Sequence, residues 1–336
     1  MGSTITHLIS IKTMKPFVSA LFLGLSFTVA SGAALAQSYP TKPIRWLVPY
    51  PAGGGSDFLA RTISQSLATQ IGQPILVDNK PGANTAIAAA EVARSAPDGY
   101  TVMSADNGTV VFNSALYSKL SYNPEKDLTP ITLMGRFPMI LVVGPQVDAK
   151  DAKDFLAKAK AQPGKISYGS AGAGSPHHLA MEMLKSRLGL HLVHIPYRGA
   201  APALGDLVGG QIPAMMVDMA AGAGFIKSGK IRPLAVANDK RLPQLPDVPT
   251  FAELGMKGVE AAALVGLVAP AALPADVKAT LQQQVAAAIE QPAVKQKLIE
   301  FGVEPVGSSS QAYADLLKAE NARWHKLIKD LKITLD

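Results

Sequence analysis

The chain contains no cysteine, which excludes disulfides, thiolate metal sites, iron–sulfur clusters and cysteine nucleophiles, and argues against a cysteine-linked lipid anchor. Long basic runs are also missing. Its 32 Lys+Arg and 25 Asp+Glu give a formal charge of +7, but no five basic residues stand together. A nucleic-acid footprint is therefore not expected. No segment reaches the roughly 20 apolar residues needed to span a bilayer, so the chain is not read as membrane-spanning. Neither glycine-rich loop carries the lysine of a phosphate cradle. Gly169, Gly172 and Gly174 are spaced three and two apart, where a dinucleotide loop needs two and three. His-Glu-x-x-His is absent, and His191 and His194 fall on opposite faces of an expected strand, so no metal site and no cofactor is expected.

What is present suits a folded, loop-rich α/β protein. Hydrophobic residues make up 48% of the 336 positions and charged residues 17%, enough apolar surface for a core and enough length for two domains. The 29 glycines and 25 prolines are dispersed, which implies many loops and no fibrous repeat.

Residues 1–36 read as a secretory signal peptide. Lys12 and Lys15 precede an apolar run from Phe17 to Ala30, and Ala34-Leu35-Ala36 forms a small-x-small site with cleavage before Gln37. Met14 is an alternative start. The expected location is the periplasm.

Two stretches share one grammar of strand, glycine-rich loop, helix, strand, helix, strand. The first runs from strand Ile44–Tyr50 through Pro51–Asp57 to strand Thr101–Ala105. The second runs from strand Lys165–Tyr168 through Gly169–Ser175 and helix Pro176–Leu188 to strand Pro213–Val217. Apolar stretches Ile131–Val143 and Ala261–Ala269 read as two crossover strands. The expected fold is therefore α/β and two-lobed. Each lobe is a mostly parallel sheet flanked by helices, with lobe one formed by 37–137 plus 266–336 and lobe two by 138–265. A long amphipathic tail helix from about Gln311 to Lys332 is assigned to packing, with Ser310 as its expected cap.

A glycine loop that opens a helix at the end of a strand offers free backbone N–H groups and the positive end of the helix dipole. It is a natural anion pocket. Ser56 or Asp57 is expected to cap the first helix and Ser175 the second, with Pro176 in its first turn. Other polar residues stand near strand ends: Tyr50, Asp106-Asn107, Arg136, Tyr197-Arg198 and Asp218. Tyr168-Gly169-Ser170-Ala171-Gly172 narrowly misses a nucleophile elbow. A serine hydrolase using Ser170, a histidine and Asp218 is therefore an alternative reading.

The motifs Pro49-Tyr50-Pro51-Ala52-Gly53-Gly54-Gly55-Ser56-Asp57, Asp78-Asn79-Lys80-Pro81-Gly82-Ala83 and Pro97-Asp98-Gly99-Tyr100 resemble those of Bug-type receptors, the periplasmic solute-binding proteins of tripartite tricarboxylate transporters. So do Gly169 through Ser175, His178-Leu179, Pro196-Tyr197-Arg198-Gly199 and Leu245-Pro246-Asp247-Val248-Pro249-Thr250. The resemblance implies a type II periplasmic-binding-protein fold that closes on a carboxylate held by backbone N–H groups and ordered waters of the two loops. The matching positions are Pro51 through Asp57 and Ser170 through Ser175; joined with the polar residues read above near strand ends and turns, they make the expected ligand-binding residues of lobe one Tyr50, Ala52, Gly53, Gly54, Ser56, Asp57, Asn84 and Asn107. Those expected of lobe two are Ser170, Ala171, Gly172, Ser175, His178, Tyr197, Arg198 and Asp218. Asn84, Arg136 and His177 look particular to this chain. The expected partners are a small carboxylated solute (a di- or tricarboxylate, an acidic amino acid or an aromatic acid) and membrane-embedded transporter subunits, with the receptor itself a monomer. A ligand-loaded sensor subunit for a membrane kinase is the second reading.

Overall fold

Residues 1–4 and 39–336 are described by the computed structural model. Beyond its first four positions, the expected leader and its cleavage point lie outside the described residues. Strand β1 (Ile44–Val48) is almost wholly buried, as an apolar run inside a parallel sheet must be. The first glycine loop leads to α1 (Gly55–Ile71), which buries Leu59, Ala60, Ile63 and Leu67 and ends at Gly72, φ 66°. Next come β2 (Ile75–Asn79), a tight turn at Ala83–Thr85, α2 (Ala86–Ala93) and β3 (Thr101–Ala105). Strand β1 lies between β2 and β3, parallel to both. A π-helical turn at Gly108–Phe112 and two short helices, α3 (Asn113–Leu116) and α4 (Pro124–Asp127), bring the chain to β4 (Leu128–Val143).

The second half repeats the plan: α5 (Ala152–Ala161), β5 (Ser167–Ser170), α6 (Pro176–Leu188), β6 (Val193–Pro196), α7 (Ala200–Val208), β7 (Ala214–Asp218), α8 (Met219–Lys227) and β8 (Arg232–Ala237). Strand β5 runs parallel to both β6 and β7. The chain returns through β9 (Ala262–Pro270) and ends with α9 (Ala275–Glu290), α10 (Pro292–Glu300), β10 (Glu304–Pro305) and α11 (Ser310–Asp330).

The strands lie in the order β2-β1-β3-β9-β4-β7-β5-β6, with β8 and β10 also paired to β4. Each lobe thus has three parallel strands, and the antiparallel pairings gather at the centre. The 16-residue β4 belongs to both sheets. It pairs with β9 as far as Pro138, and with β7 and β8 from Met139 onward. The second crossing lies alongside: Met139 N–H donates to the Ala261 carbonyl at 2.9 Å, and Ala261 N–H to the Ala237 carbonyl at 2.9 Å. Helix α11 buries Tyr313, Trp324 and Ile328, and Trp324 meets Phe112 edge-on at 5.0 Å between ring centres. The tail therefore packs on the first lobe.

Three local expectations change. Gly169 and Ser170 end β5 rather than opening the loop; a Cβ on Gly169 would stand 2.3 Å from Ile212 Cδ1, so any larger residue there must displace the Ile212 side chain. Neither Ser56 nor Asp57 caps α1, whose N-cap is Gly54 with no side-chain bond. Ser309, not Ser310, caps α11 by accepting from Ala312 N–H at 3.1 Å, while the Ser310 hydroxyl donates to the Ile131 carbonyl.

Candidate functional site

The loop after β1 is held from behind. Asp57, 4% exposed, accepts hydrogen bonds from Gly53 N–H (2.9 Å), Asn79 Nδ2 (2.9 Å) and Arg61 Nε (3.0 Å). Asn79 also donates to the Tyr50 carbonyl at 3.0 Å. Burial alone would push the Asp57 carboxyl up, but the bonds from Arg61, Gly53 and Asn79 hold it below the usual carboxylate range. Asp57 is thus the clamp that shapes the loop, and it does not line the cleft. With no side chain on the N-cap, the N–H groups of Gly54, Gly55, Ser56 and Asp57 have no hydrogen-bond partner among the described residues. Gly53 sits at φ 87°, a conformation that favours glycine.

The loop after β5 is built differently, because it satisfies itself. The Ser175 hydroxyl caps α6 by accepting from His178 N–H at 3.3 Å and donates to the Gly172 carbonyl at 2.7 Å. Gly172 N–H donates to Ser170 Oγ at 3.1 Å, and Gly174 N–H to His178 Nδ1 at 3.1 Å. The two loops are therefore not equivalent anion pockets. The first presents open donors; the second has spent most of its own.

Between the loops lies a cavity of about 440 Å³. Of the expected residues, Tyr50, Ala52, Gly53, Gly54, Ser56, Ala171, Ser175, Arg198 and Asp218 line it. The structure places the others elsewhere. Asn84 packs where a Cβ on Gly174 would go, 2.6 Å from its Nδ2, and bonds to Asn113 Oδ1 at 2.8 Å. Asn107 is fully buried and accepts from Leu264 N–H at 2.6 Å, tying the exit of β3 to β9. Its neighbour Asp106 is the residue that faces the cleft. Gly172 is turned into its own loop. Tyr197 donates its hydroxyl to Asp206 at 2.7 Å, away from the cavity.

Ser170 and His178 belong to a polar cluster behind the second loop. Ser170 Oγ lies 2.7 Å from His194 Nε2, and the His178 and His194 rings stack at 3.9 Å. Glu182 accepts from the Tyr168 hydroxyl and from Lys185. Burial first, and then Lys185, pushes His178 down to about 4; burial first, and then His178, pushes His194 down to about 3. Both rings are therefore neutral at neutral pH. Ser170 is fully buried, and Asp218 pairs with His177 instead. Ser170 does not line the cleft, so the hydrolase alternative built on it falls.

The two strand-end acids that do reach the cleft are placed alike. Asp106 follows β3 and accepts from the Tyr50 hydroxyl at 2.6 Å and from Thr109 N–H at 3.0 Å. Asp218 ends β7, lies 3.1 Å from His177 Nε2 and accepts from Ala221 N–H at 3.0 Å. Burial pushes the Asp106 carboxyl up despite its bonds. Burial also works on Asp218, yet the hydrogen bond and charge of His177 hold its carboxyl below the usual range. The remaining wall is largely apolar, with Phe137, Leu204, Phe225 and Val265 among its members. Sequence reasoning missed these because an apolar residue at a cleft carries the same pattern as one in a core. It also passed over Asp106 and His177 for the residues next to them. Among the described residues no group of acids and histidines could hold a metal ion, and no helix is long and apolar enough to cross a membrane.

Residues 59–333 match the family model described as "Tripartite tricarboxylate transporter family receptor". The chain belongs to this receptor family. Protein BugT of Bordetella pertussis is 31% identical over 311 residues, 92% of this chain and 95% of the relative. A solved R. palustris protein with adipate superposes with a TM-score of 0.83 at 35% identity, covering 87% of this chain and 97% of that one. MatC from Rhodopseudomonas palustris with bound malate gives 0.80 at 32% identity, covering 86% and 100%. The protein is thus a Bug-type solute-binding receptor with the two-lobed fold of periplasmic binding proteins, and it is a binding protein rather than an enzyme.

Proposed function

We propose that this receptor works in the periplasm, captures a small carboxylate between its lobes and delivers it to a tripartite tricarboxylate-type membrane transporter. The observation that carries the reading is the uncapped N-terminus of α1, whose Gly54, Gly55 and Ser56 border a cleft walled on the far side by the second lobe. Free N–H groups and the helix dipole favour an anion there. The adipate and malate of the two solved relatives are in keeping with such an anion. Binding free energy closes the lobes, and the closed form is what a membrane partner distinguishes.

Thermal unfolding of the refolded chain, from Gln37 onward, against mono-, di- and tricarboxylates tests this. A ligand at about 100 times its dissociation constant adds roughly 2.7 kcal/mol, or about 5 °C in Tm for a chain of this size. A response confined to carboxylates is expected. A panel that responds only to uncharged solutes, or not at all, would overturn the reading.

A further inference from the structure

The turn Ala83–Thr85 is strained. Its three residues have φ of 46°, 43° and 73°, and none is glycine. Left-handed backbone is costly for a residue with a Cβ, and a run of three persists only where the surroundings impose it. Here they do, through a buried polar network. Asn113 Nδ2 donates to the Asn84 carbonyl at 2.7 Å, and Asn84 Nδ2 donates to Asn113 Oδ1 at 2.8 Å. Thr85 Oγ1 lies 2.9 Å from Thr109 Oγ1, which lies 3.1 Å from Asp106 Oδ1. Thr85, Thr109 and Asn113 are all buried. The turn is thus anchored to an acid of the cleft wall.

The strain serves to place one side chain. Asn84 Nδ2 stands 2.6 Å from where a Cβ on Gly174 would be, with Leu116 Cδ1 and Leu335 Cδ1 each at 2.8 Å. Leu335 is itself held in place. Its N–H donates to the Leu116 carbonyl at 2.9 Å, and the next residue, Asp336, accepts from Ser118 N–H at 3.0 Å. Gly174 belongs to the loop after β5, at φ 77°, and is buried. Three side chains of the first lobe therefore close over one glycine of the second. Neither they nor Gly174 line the cleft, so this seat acts on closure without touching the solute.

We propose that Asn84, Leu116 and Leu335 form a latch on Gly174 that holds the lobes at their binding separation, with Asn84 as its positioning residue. The proposal takes the closing of the lobes from the reading above, but not the chemistry of the solute. A latched receptor keeps a larger share of its molecules closed before any solute arrives, and its apparent affinity scales with that share.

Spin-label distance measurement on the refolded chain from Gln37 onward, without solute, tests this. The chain has no cysteine, so Thr69→Cys and Lys227→Cys, at exposed positions of α1 and α8, place one label on each lobe. A single narrow distance is expected with the latch intact. Asn84→Gly removes the side chain and relieves the backbone angle, and the relief offsets the lost bond to Asn113. Its Tm is expected within about 3 °C of the parent, while the distance lengthens and broadens. Leu335→Ala should act in the same direction, and it carries the test alone if Asn84→Gly fails to fold. Titration with benzoate, adipate and malate supplies the second readout. The tightest of the three should bind each variant about tenfold more weakly, as a tenfold smaller closed share requires. A broad distance in the parent, distances unchanged in both variants, or undiminished affinity beside a lengthened distance would overturn the latch. If none of the three binds but the distances respond as expected, the latch stands and the carboxylate reading falls.

Discussion

At the scale of single residues, the donor loop depends on one backbone angle and one buried carboxylate. Gly53 has φ 87° and nothing within 4 Å of the place a Cβ would take, so Gly53→Ala adds backbone strain and no clash. That strain is about 1–2 kcal/mol. It is expected to appear as a lower urea midpoint together with weaker carboxylate binding. Asp57→Asn keeps the shape but removes the charge that Gly53, Asn79 and Arg61 address. A loss of about 1–3 kcal/mol in unfolding free energy is expected, with a fall in affinity because the loop loses its clamp. Unfolding and titration on the same preparation check both effects, and undiminished affinity would show that Asp57 does not shape the loop. The sequence placed Asp57 at the right turn but facing the ligand. A first-turn side chain next to a glycine loop points either out or back, and only the position of Asn79 on the neighbouring strand decides. Asn107, expected at the ligand, likewise turns to Leu264 while Asp106 lines the cleft, since adjacent residues after a strand face opposite sides.

At the scale of elements, the junction of β5, α6 and β6 couples stability to pH. His178 and His194 have folded-state values of about 4 and about 3 against an ordinary 6.5. The unfolded chain therefore binds these protons first. Their contribution is fully present above about 6.5 and is lost as pH falls towards 4 and then 3. For His178 alone this amounts to roughly 3 kcal/mol, and less for the half-buried His194. Urea midpoints are expected to drop between pH 7 and pH 4.5, with a shallower drop in His178→Gln; equal slopes would remove His178 as the source. Helix α6 was legible to the residue because Ser175, Pro176 and Gly189 mark its two ends. Strand β3 was equally plain between its turn and Asp106. Helix α8 gave no comparable sign: two of its nine residues are glycine, and its cap, Asp218, looked like a ligand contact. The tail helix was found, but in the run of three serines, Ser308 to Ser310, the expected cap fell one position late.

At the scale of the whole molecule, the repeated grammar was enough to give two lobes and two crossings, because strand, loop and helix recur in the same order in both halves. The arrangement of the antiparallel centre was not legible, since β9 and β10 return from far along the chain. One glycine tests how the lobes meet. A Cβ on Gly55 would lie 3.1 Å from Phe137 Cε1 and 3.2 Å from the Cβ of Ala220 in the second lobe. Gly55→Ala is expected to prop the lobes apart, weakening the tightest carboxylate of the panel about tenfold or more while leaving the ligand-free Tm within about 2 °C. Unchanged affinity would mean that the lobes do not need that approach. The continuity of β4 has a further consequence. A strand that holds its place in both sheets, beside a second crossing bonded to it at Met139, acts like two pins through one door. It permits a swing about a single axis and resists sliding or twisting. On the closing motion proposed above, each closure brings the open donors of one lobe and the Asp218–His177 pair of the other together in the same register, and length and orientation of a solute are read in one stroke.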